Sequence, residues 1–351
     1  MNDSSKHRSD DNSPILLVPY MWIGDFVRCH SVVRLLRERF PRRPVDVLFT
    51  SLCAPLLDYM PGVRKGIEWN LPRKRLPLGE HRALADVMRA EGYGSALIMP
   101  RTWKSALAPY LAGIPERTGF FGEGRIVLLN DIRPGEKALP RMIDRCGMLA
   151  LPRGADKPPN WPEPQLVVPA ADAAQWRAQR GLPGDGRPVI AMAPGAVGPS
   201  KRWPVEANGE LARSLTSQGM SVWVLGSAAE SPLAKAIVDK AGPYARDLTS
   251  PDLRNAILAL KIANAVVSND SGLVHVAAAI GTPTIGIFGP TSPWHWAPLN
   301  PLAAVIETLT EVPCRPCHKP ECAMVHHRCM RDIPAARVLQ AVEQALATAR
   351  A

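Results

Sequence analysis

The chain alternates short apolar runs with longer stretches of helical spacing. Residues 14–18 read as a buried strand, and a polar turn ending at Gly24-Asp25 follows. From 26 to about 40 an apolar stripe through Val27, Val33 and Leu36 is flanked by Arg34, Arg37 and Arg39, as in an amphipathic helix. A second strand at 45–50, a short helix at 52–59, a helix at 80–91, a strand at 96–99 and a helix at 104–111 closed by Gly113 continue the series. Strand-helix repetition of this kind predicts a parallel, doubly wound sheet. The pattern lapses between 152 and 169, which carries six prolines and reads as a linker or domain boundary. It then resumes with a strand at 189–193, helix 205–218, strand 221–225, and helices 228–241 and 253–263. The clearest unit follows at 268–290, SNDSGLVHVAAAIGTPTIGIFGP: strand end, polar turn, small-residue helix from Val274 to Ile280, Gly281, Pro283 and a strand at 284–288. A last helix spans 335–349.

This divides the chain into a lead-in (1–13), an N-terminal Rossmann-like domain (14–151), a proline-rich linker (152–187), a C-terminal Rossmann-like domain (188–333) and a closing helix (334–351). Two doubly wound α/β domains facing each other imply a central cleft, a layout more typical of nucleotide-sugar transferases than of dehydrogenases.

Length and composition sharpen this picture. At 351 residues and 46% hydrophobic, the chain can build two cores. No apolar run approaches the ~20 residues of a membrane span, and the polar start MNDSSKHRSDDN has no signal-peptide core. A disordered lead-in and a cytoplasmic location are expected. Lys plus Arg outnumber Asp plus Glu by 42 to 32, for a net charge of +10, which suits an anionic partner: nucleic acid, a phosphorylated substrate or an acidic membrane surface. The densest cluster is Arg73-Lys74-Arg75, preceded by Arg64 and Lys65.

Seven cysteines are unevenly placed. Cys29, Cys53 and Cys146 look like small core residues, whereas Cys314, Cys317, Cys322 and Cys329 crowd together with His318, His326 and His327. An odd total without a secretion signal argues against a disulfide framework. The Cys-x2-Cys start would allow a structural zinc ion, although the spacing matches no common zinc finger; a reduced surface loop is the alternative.

The candidate chemistry lies in turns at predicted strand ends, where α/β sheets bind ligands. Gly24-Asp25 follows the first strand; Asp25 could cap a helix or take a proton from a hydroxyl. The loop from Pro194 to Pro204 offers close backbone approach at its glycines, with positive charge at Lys201 and Arg202. In the turn Asn269-Asp270-Ser271-Gly272, Asp270 or Ser271 could cap the following helix, whose first amides favour a phosphate. His275 lies one turn on, and Gly226-Ser227 is a weaker fourth element that could lie beneath a nucleoside. No G-x-G-x-x-G follows either domain's first strand and no G-x-S-x-G elbow occurs, so dehydrogenase and hydrolase readings lack their signatures.

WIGD at 22–25, KSAL at 104–107, LLND at 128–131, PGA…GPSKRWP at 194–204, LGS at 225–227 and SNDSGLVHVAAA at 268–279 together resemble glycosyltransferase family 9. The matches run in order over nearly the whole chain, and the Cys-x2-Cys…His-His-Arg-Cys segment resembles a loop of many members. The resemblance implies a GT-B fold and an inverting, metal-independent transfer of L-glycero-D-manno-heptose from ADP-heptose to the first heptose of the lipopolysaccharide inner core. It implies no cofactor, no nucleic acid, and work at the inner leaflet of the membrane. Asp25 then matches the general base. Lys201, with Arg202, Ser227, Asp270, Ser271, Gly272 and His275, matches the donor site, while Gly24, Lys104, Arg73, Lys74 and Arg75 fall where the acceptor would lie. The chain departs from the family at Val197, where the donor loop is one residue shorter, and at Arg101, where Asn is common. Heptosyltransferase I or a later core heptosyltransferase is the alternative within the family, and a basic, zinc-stabilised nucleic-acid-binding protein the alternative outside it.

Overall fold

The computed structural model describes residues 12–70 and 77–349. The chain divides into two compact units, Met1–Pro164 and Gln165–Ala351. The first contains strands β1 (Ile15–Val18), β2 (Val45–Phe49), β3 (Val63–Glu68), β4 (Ser95–Ile98), β5 (Glu116–Phe120) and β6 (Asp131–Arg133) in one parallel sheet of order β3-β2-β1-β4-β5-β6. The second contains β7 (Val189–Ala193), β8 (Ser221–Val224), β9 (Ala245–Asp247), β10 (Ala265–Asn269), β11 (Thr284–Ile287) and β12 (Ala303–Ile306), ordered β12-β11-β10-β7-β8-β9 and again parallel. Each unit therefore starts at the centre of its sheet, adds two strands on one side, and returns to build the other side. This is the doubly wound α/β architecture expected above for each unit.

The central strands are buried throughout, as their continuous apolar runs require. The helix Ile23–Arg39 buries Phe26, Val27, Val32, Val33 and Leu36, and carries Asp25 in its first turn and Arg37 and Arg39 in its last. Those charges complement the helix dipole. In the second unit Trp203, Leu211, Leu215, Val222, Ile237, Ile285 and Val342 share one core, so the closing helix Ala335–Thr348 is part of that unit's packing.

Several elements lay outside the pattern reading, and they share a cause. β3, β6 and β9 are half-exposed strands at or near sheet edges with sequences such as VRKGIE and DIR, so no apolar run marks them. Within the proline-rich 152–187 stretch, a helix at Ala170–Gln179 buries only Ala173 and Trp176. Its Trp176 donates to Asn255 Oδ1 at 3.2 Å and meets Trp223 edge-on at 6.0 Å, which seats it on the second unit. Upstream, Trp161 packs onto the helix Met142–Ala150 of the first unit and donates to Asp144 Oδ1 at 2.9 Å.

Gly147 lies beneath that indole: a Cβ there would run into the Trp161 ring. Helix propensity favours Ala over Gly by up to about 1 kcal/mol, whereas overpacking costs about 1–3 kcal/mol. Gly147→Ala should therefore lower the midpoint of chemical denaturation. A midpoint at or above wild type would mean that Trp161 is not held on this helix.

Candidate active site

Both sheets reverse strand order beside their first strand, between β1 and β4 and between β7 and β10. At such a point the loops leaving adjacent strands part and open a binding crevice at the carboxyl ends. In the second unit those loops are Pro194–Pro204 after β7 and Asp270-Ser271 after β10.

Lys201 Nζ donates to Asp270 Oδ2 at 2.7 Å. The Asp270 side chain is 8% exposed and that of Lys201 30%, so water screens the pair only partly. Asp270 also donates its backbone N–H to Ile287 O at 3.1 Å, which ties the turn to β11. The helix Gly272–Ile280 begins right after Ser271, which is in extended conformation and whose side chain makes no capping bond to the first amides. Asp270 and Ser271 thus do not cap the helix; one carboxylate holds an ammonium beside a helix N-terminus, and the terminus keeps its donors for a ligand. His275 is buried on that helix. Asn269 is the connector that pattern reading missed: its Nδ2 donates to Pro194 O at 2.6 Å and its Oδ1 accepts from Trp203 N at 3.3 Å, joining both ends of the Lys201 loop to β10.

Two glycines of this crevice make room for one unassigned residue, Glu230. A Cβ at Gly195 would collide with its carboxylate, and one at Gly226 would approach Oε2 to 2.7 Å. Glu230 Oε2 accepts from Ser227 N at 2.7 Å and from Ser227 Oγ at 2.9 Å, a capping box. The Ser-x-x-Glu spacing at 227–230 was the signal for it. Arg202 is exposed and turns Nε onto Ala196 O at 3.2 Å, bracing the loop from within.

The Cys/His loop supports the same crevice. Ser200 Oγ donates to Lys319 O at 2.6 Å, Ser200 N to Pro320 O at 3.1 Å, and His327 Nε2 to Ser200 O at 2.7 Å. Gly198, at φ +94°, puts its α-carbon where a Cβ would lie 3.2 Å from Pro320 O. Cys314, Cys317, Cys322 and Cys329 all line one cavity of about 110 Å³ with His326 and His327. Among the described residues, however, no three His, Cys, Asp or Glu side chains are grouped to hold a metal ion. The zinc expectation finds no ligand geometry here; what the loop does hold is Ser200, next to Lys201. Cys29, Cys53 and Cys146 are buried core residues.

In the first unit, Gly24 is buried and Asp25 half-buried in the opening turn of the helix after β1. Lys104 occupies the opening turn of the helix Trp103–Leu111 after β4, the neighbouring strand. A cavity of about 500 Å³ is lined by Lys104 with Met21, Trp69, His81, Trp103 and Glu123. His81 is 1% exposed, stands edge-on to Trp69 at 5.7 Å, and its Nδ1 has no hydrogen-bond partner among the described residues. Burial, reinforced by the Lys104 charge, holds its imidazole below the ordinary histidine range. Two tryptophans, an imidazole, an ammonium and a carboxylate suit a sugar ring with a charged substituent. Of these residues only Lys104 was read from the sequence. Arg73, Lys74 and Arg75 lie outside the described residues.

Comparison with known proteins adds to this geometry. The family described as Glycosyltransferase family 9 (heptosyltransferase) matches residues 81–327. The chain is 36% identical over 338 residues to lipopolysaccharide heptosyltransferase 2 of Escherichia coli K12, covering 93% of this chain and 96% of that protein. It is 35% identical over 310 residues to lipooligosaccharide heptosyltransferase 2 of Haemophilus influenzae, covering 84% and 88%. The solved structure of E. coli ADP-heptose lps heptosyltransferase II superposes with a TM-score of 0.83 at 34% identity, over 96% of this chain and all of that one. The E. coli heptosyltransferase WaaC with ADP shares the fold at a TM-score of 0.72 and 20% identity, over 95% and 99% of the chains.

If the Cys/His loop braces the Lys201 loop, His327→Ala leaves the carbonyl of the buried Ser200 without its donor, at a cost of about 1–3 kcal/mol. Amide hydrogen exchange over residues 195–203 should accelerate in that variant, while exchange in the first unit stays unchanged. Unaltered exchange at 195–203 would show that the loop does not act as a brace.

Proposed function

This chain belongs to glycosyltransferase family 9, and we propose a catalytic cycle in which each unit supplies one half of the chemistry. The protein is an ADP-heptose-dependent lipopolysaccharide heptosyltransferase that adds heptose to the first heptose of the inner core. Near full-length likeness to heptosyltransferases 2 from several bacteria supports that reading over an earlier or later step of core assembly.

The observation that carries the donor half is the Lys201–Asp270 pair at the uncapped start of the helix Gly272–Ile280. ADP-heptose brings a diphosphate with two negative charges. The Lys201 ammonium and the first amides of that helix match them, and the match strengthens as the bond to the anomeric carbon breaks and charge gathers on the leaving ADP. Asp270, Ser271 and Gly272 position the heptose and phosphates, with His275 behind them and Arg202 and Ser227 at the loop margins. The protein's own cations and amides thereby supply the charge stabilisation of the leaving group, a metal-independent scheme.

On the acceptor side, Asp25 takes the proton of the attacking hydroxyl. The oxygen forms its bond to the anomeric carbon as ADP departs from the opposite face, so configuration inverts. Lys104 and the aromatic cavity beside it hold the acceptor sugars, and Gly24 lets the acceptor approach the backbone. Because that acceptor is anchored on a lipid, the enzyme works peripherally at the cytoplasmic face of the inner membrane. Among the described residues no helix is long and apolar enough to cross a bilayer.

Asp25→Asn should fold as wild type and lose about 10²–10⁴-fold in kcat, the usual contribution of a general base; near-normal turnover would remove Asp25 from that role. Lys201→Ala should weaken ADP binding, measured by calorimetry, by about 10–100-fold, as expected for loss of a charge-assisted contact of about 1.5–3 kcal/mol. Equal ADP affinity in the two proteins would sink the phosphate assignment. Mass spectrometry of core acceptors with no, one or two heptoses, each incubated with ADP-heptose, tests the acceptor itself: the one-heptose acceptor should gain a single heptose.

A further inference from the structure

Immediately after β5 the chain presents three large apolar side chains to solvent on one loop: Phe121 at 53% exposure, Ile126 at 60% and Val127 at 69%. The loop is not loose. Arg125 is 1% exposed, and its guanidinium donates to Phe120 O at 2.6 Å, to Ser105 Oγ at 3.2 Å and to Pro100 O. Burying a guanidinium is costly unless its donors are satisfied, and here they are spent on fixing this turn. Gly122 lies flat on the Arg101 backbone, where a Cβ would collide with the carbonyl oxygen. Arg101 Nε donates to Phe121 O at 3.3 Å, and Glu123 Oε2 accepts from Trp103 N at 3.0 Å. The fold therefore holds Phe121, Ile126 and Val127 outward on a rigid base.

We infer that this loop is the membrane-docking element of the protein, inserting Phe121, Ile126 and Val127 into the surface of an anionic bilayer. The inference rests on the proposed function, in which the acceptor is carried by a lipid. The loop is continuous with the acceptor cavity, because Glu123 lines that cavity and caps the helix on which Trp103 and Lys104 stand. Area decides between a bilayer and a second copy of the chain. Three side chains expose a few hundred Å² at most, well short of the ~1,200 Å² that a stable protein interface buries. Shallow insertion needs no such area when charge assists it, and a chain of net charge +10 is drawn to anionic lipid.

The test is co-sedimentation with vesicles of equal parts phosphatidylethanolamine and phosphatidylglycerol, comparing wild type with the double variant Ile126→Ser, Val127→Ser and with Phe121→Ser. Wild type should bind, and the double variant should partition at least about tenfold more weakly. Turnover of a deacylated, water-soluble acceptor should be the same in both, which also shows that the variant is folded. Turnover of acylated acceptor embedded in vesicles should fall in the variant. Vesicle binding by the double variant equal to wild type, or a wild type that ignores vesicles, overturns the proposal. So does a wild-type dimer in analytical ultracentrifugation that the double variant loses, since the loop would then bind a second copy. Failure of wild type to use the soluble acceptor would instead strike the functional reading, and vesicle binding would be judged apart from it.

Discussion

A parallel sheet whose second half begins beside its first strand has one place where the loops of neighbouring strands diverge. Both units of this chain are built that way, around β1 and β4 in one and β7 and β10 in the other. The reversal leaves the carboxyl ends of the central strands uncovered, while helices cover the faces. Four of the turns given roles in the proposed cycle follow these strands: Gly24-Asp25 after β1, Lys104 after β4, Lys201 after β7 and Asp270 after β10, while Ser227 follows β8. The strands themselves are almost wholly buried, so register cannot slip without moving the turns. The placement of these turns thus depends on the pairing of buried strands.

On the donor side, the second layer of support is polar. Asn269 ties the Lys201 loop to β10, Glu230 knits Gly195 to Gly226 and Ser227, and Ser200 hangs from the backbone of the Cys/His loop. A lysine on a short loop would sample many rotamers; held against a nearly buried carboxylate, it is restrained, as the proposed contact with a diphosphate requires. The Cys/His loop is itself held in conformations that ordinary residues avoid, with His318, Val325 and His327 at positive φ. Its backbone at Lys319 and Pro320 and its His327 hold Ser200, next to Lys201.

The first unit shows a parallel division of labour. Arg125 spends its buried guanidinium on backbone carbonyls, which fixes a loop that faces outward at Phe121, Ile126 and Val127 and inward at Glu123. In the proposed reading the same few residues set the wall of a cavity for a polar ligand and a surface for an apolar one. A lipid-anchored sugar has both characters.

Much of this was legible in the chain before any coordinates. Buried central strands announce themselves as apolar runs, helices as stripes, and turns such as SNDSG as polar breaks at strand ends, because each depends on neighbours in sequence. Asp25, Lys201 and Asp270 stand out in the sequence for that reason, and family resemblance gave them their proposed roles. Edge strands such as Val63–Glu68, the helix Ala170–Gln179 and the brace from Lys319, Pro320 and His327 to Ser200 were not legible. They are stabilised by ladder bonds and contacts between residues as much as 127 positions apart, for which no local pattern is required. Local chemistry thus determined which residues could act. Tertiary packing alone decided which of them meet: Lys201 with Asp270 rather than with open solvent, Glu230 in the space two glycines leave, and a tryptophan-lined cavity around Lys104.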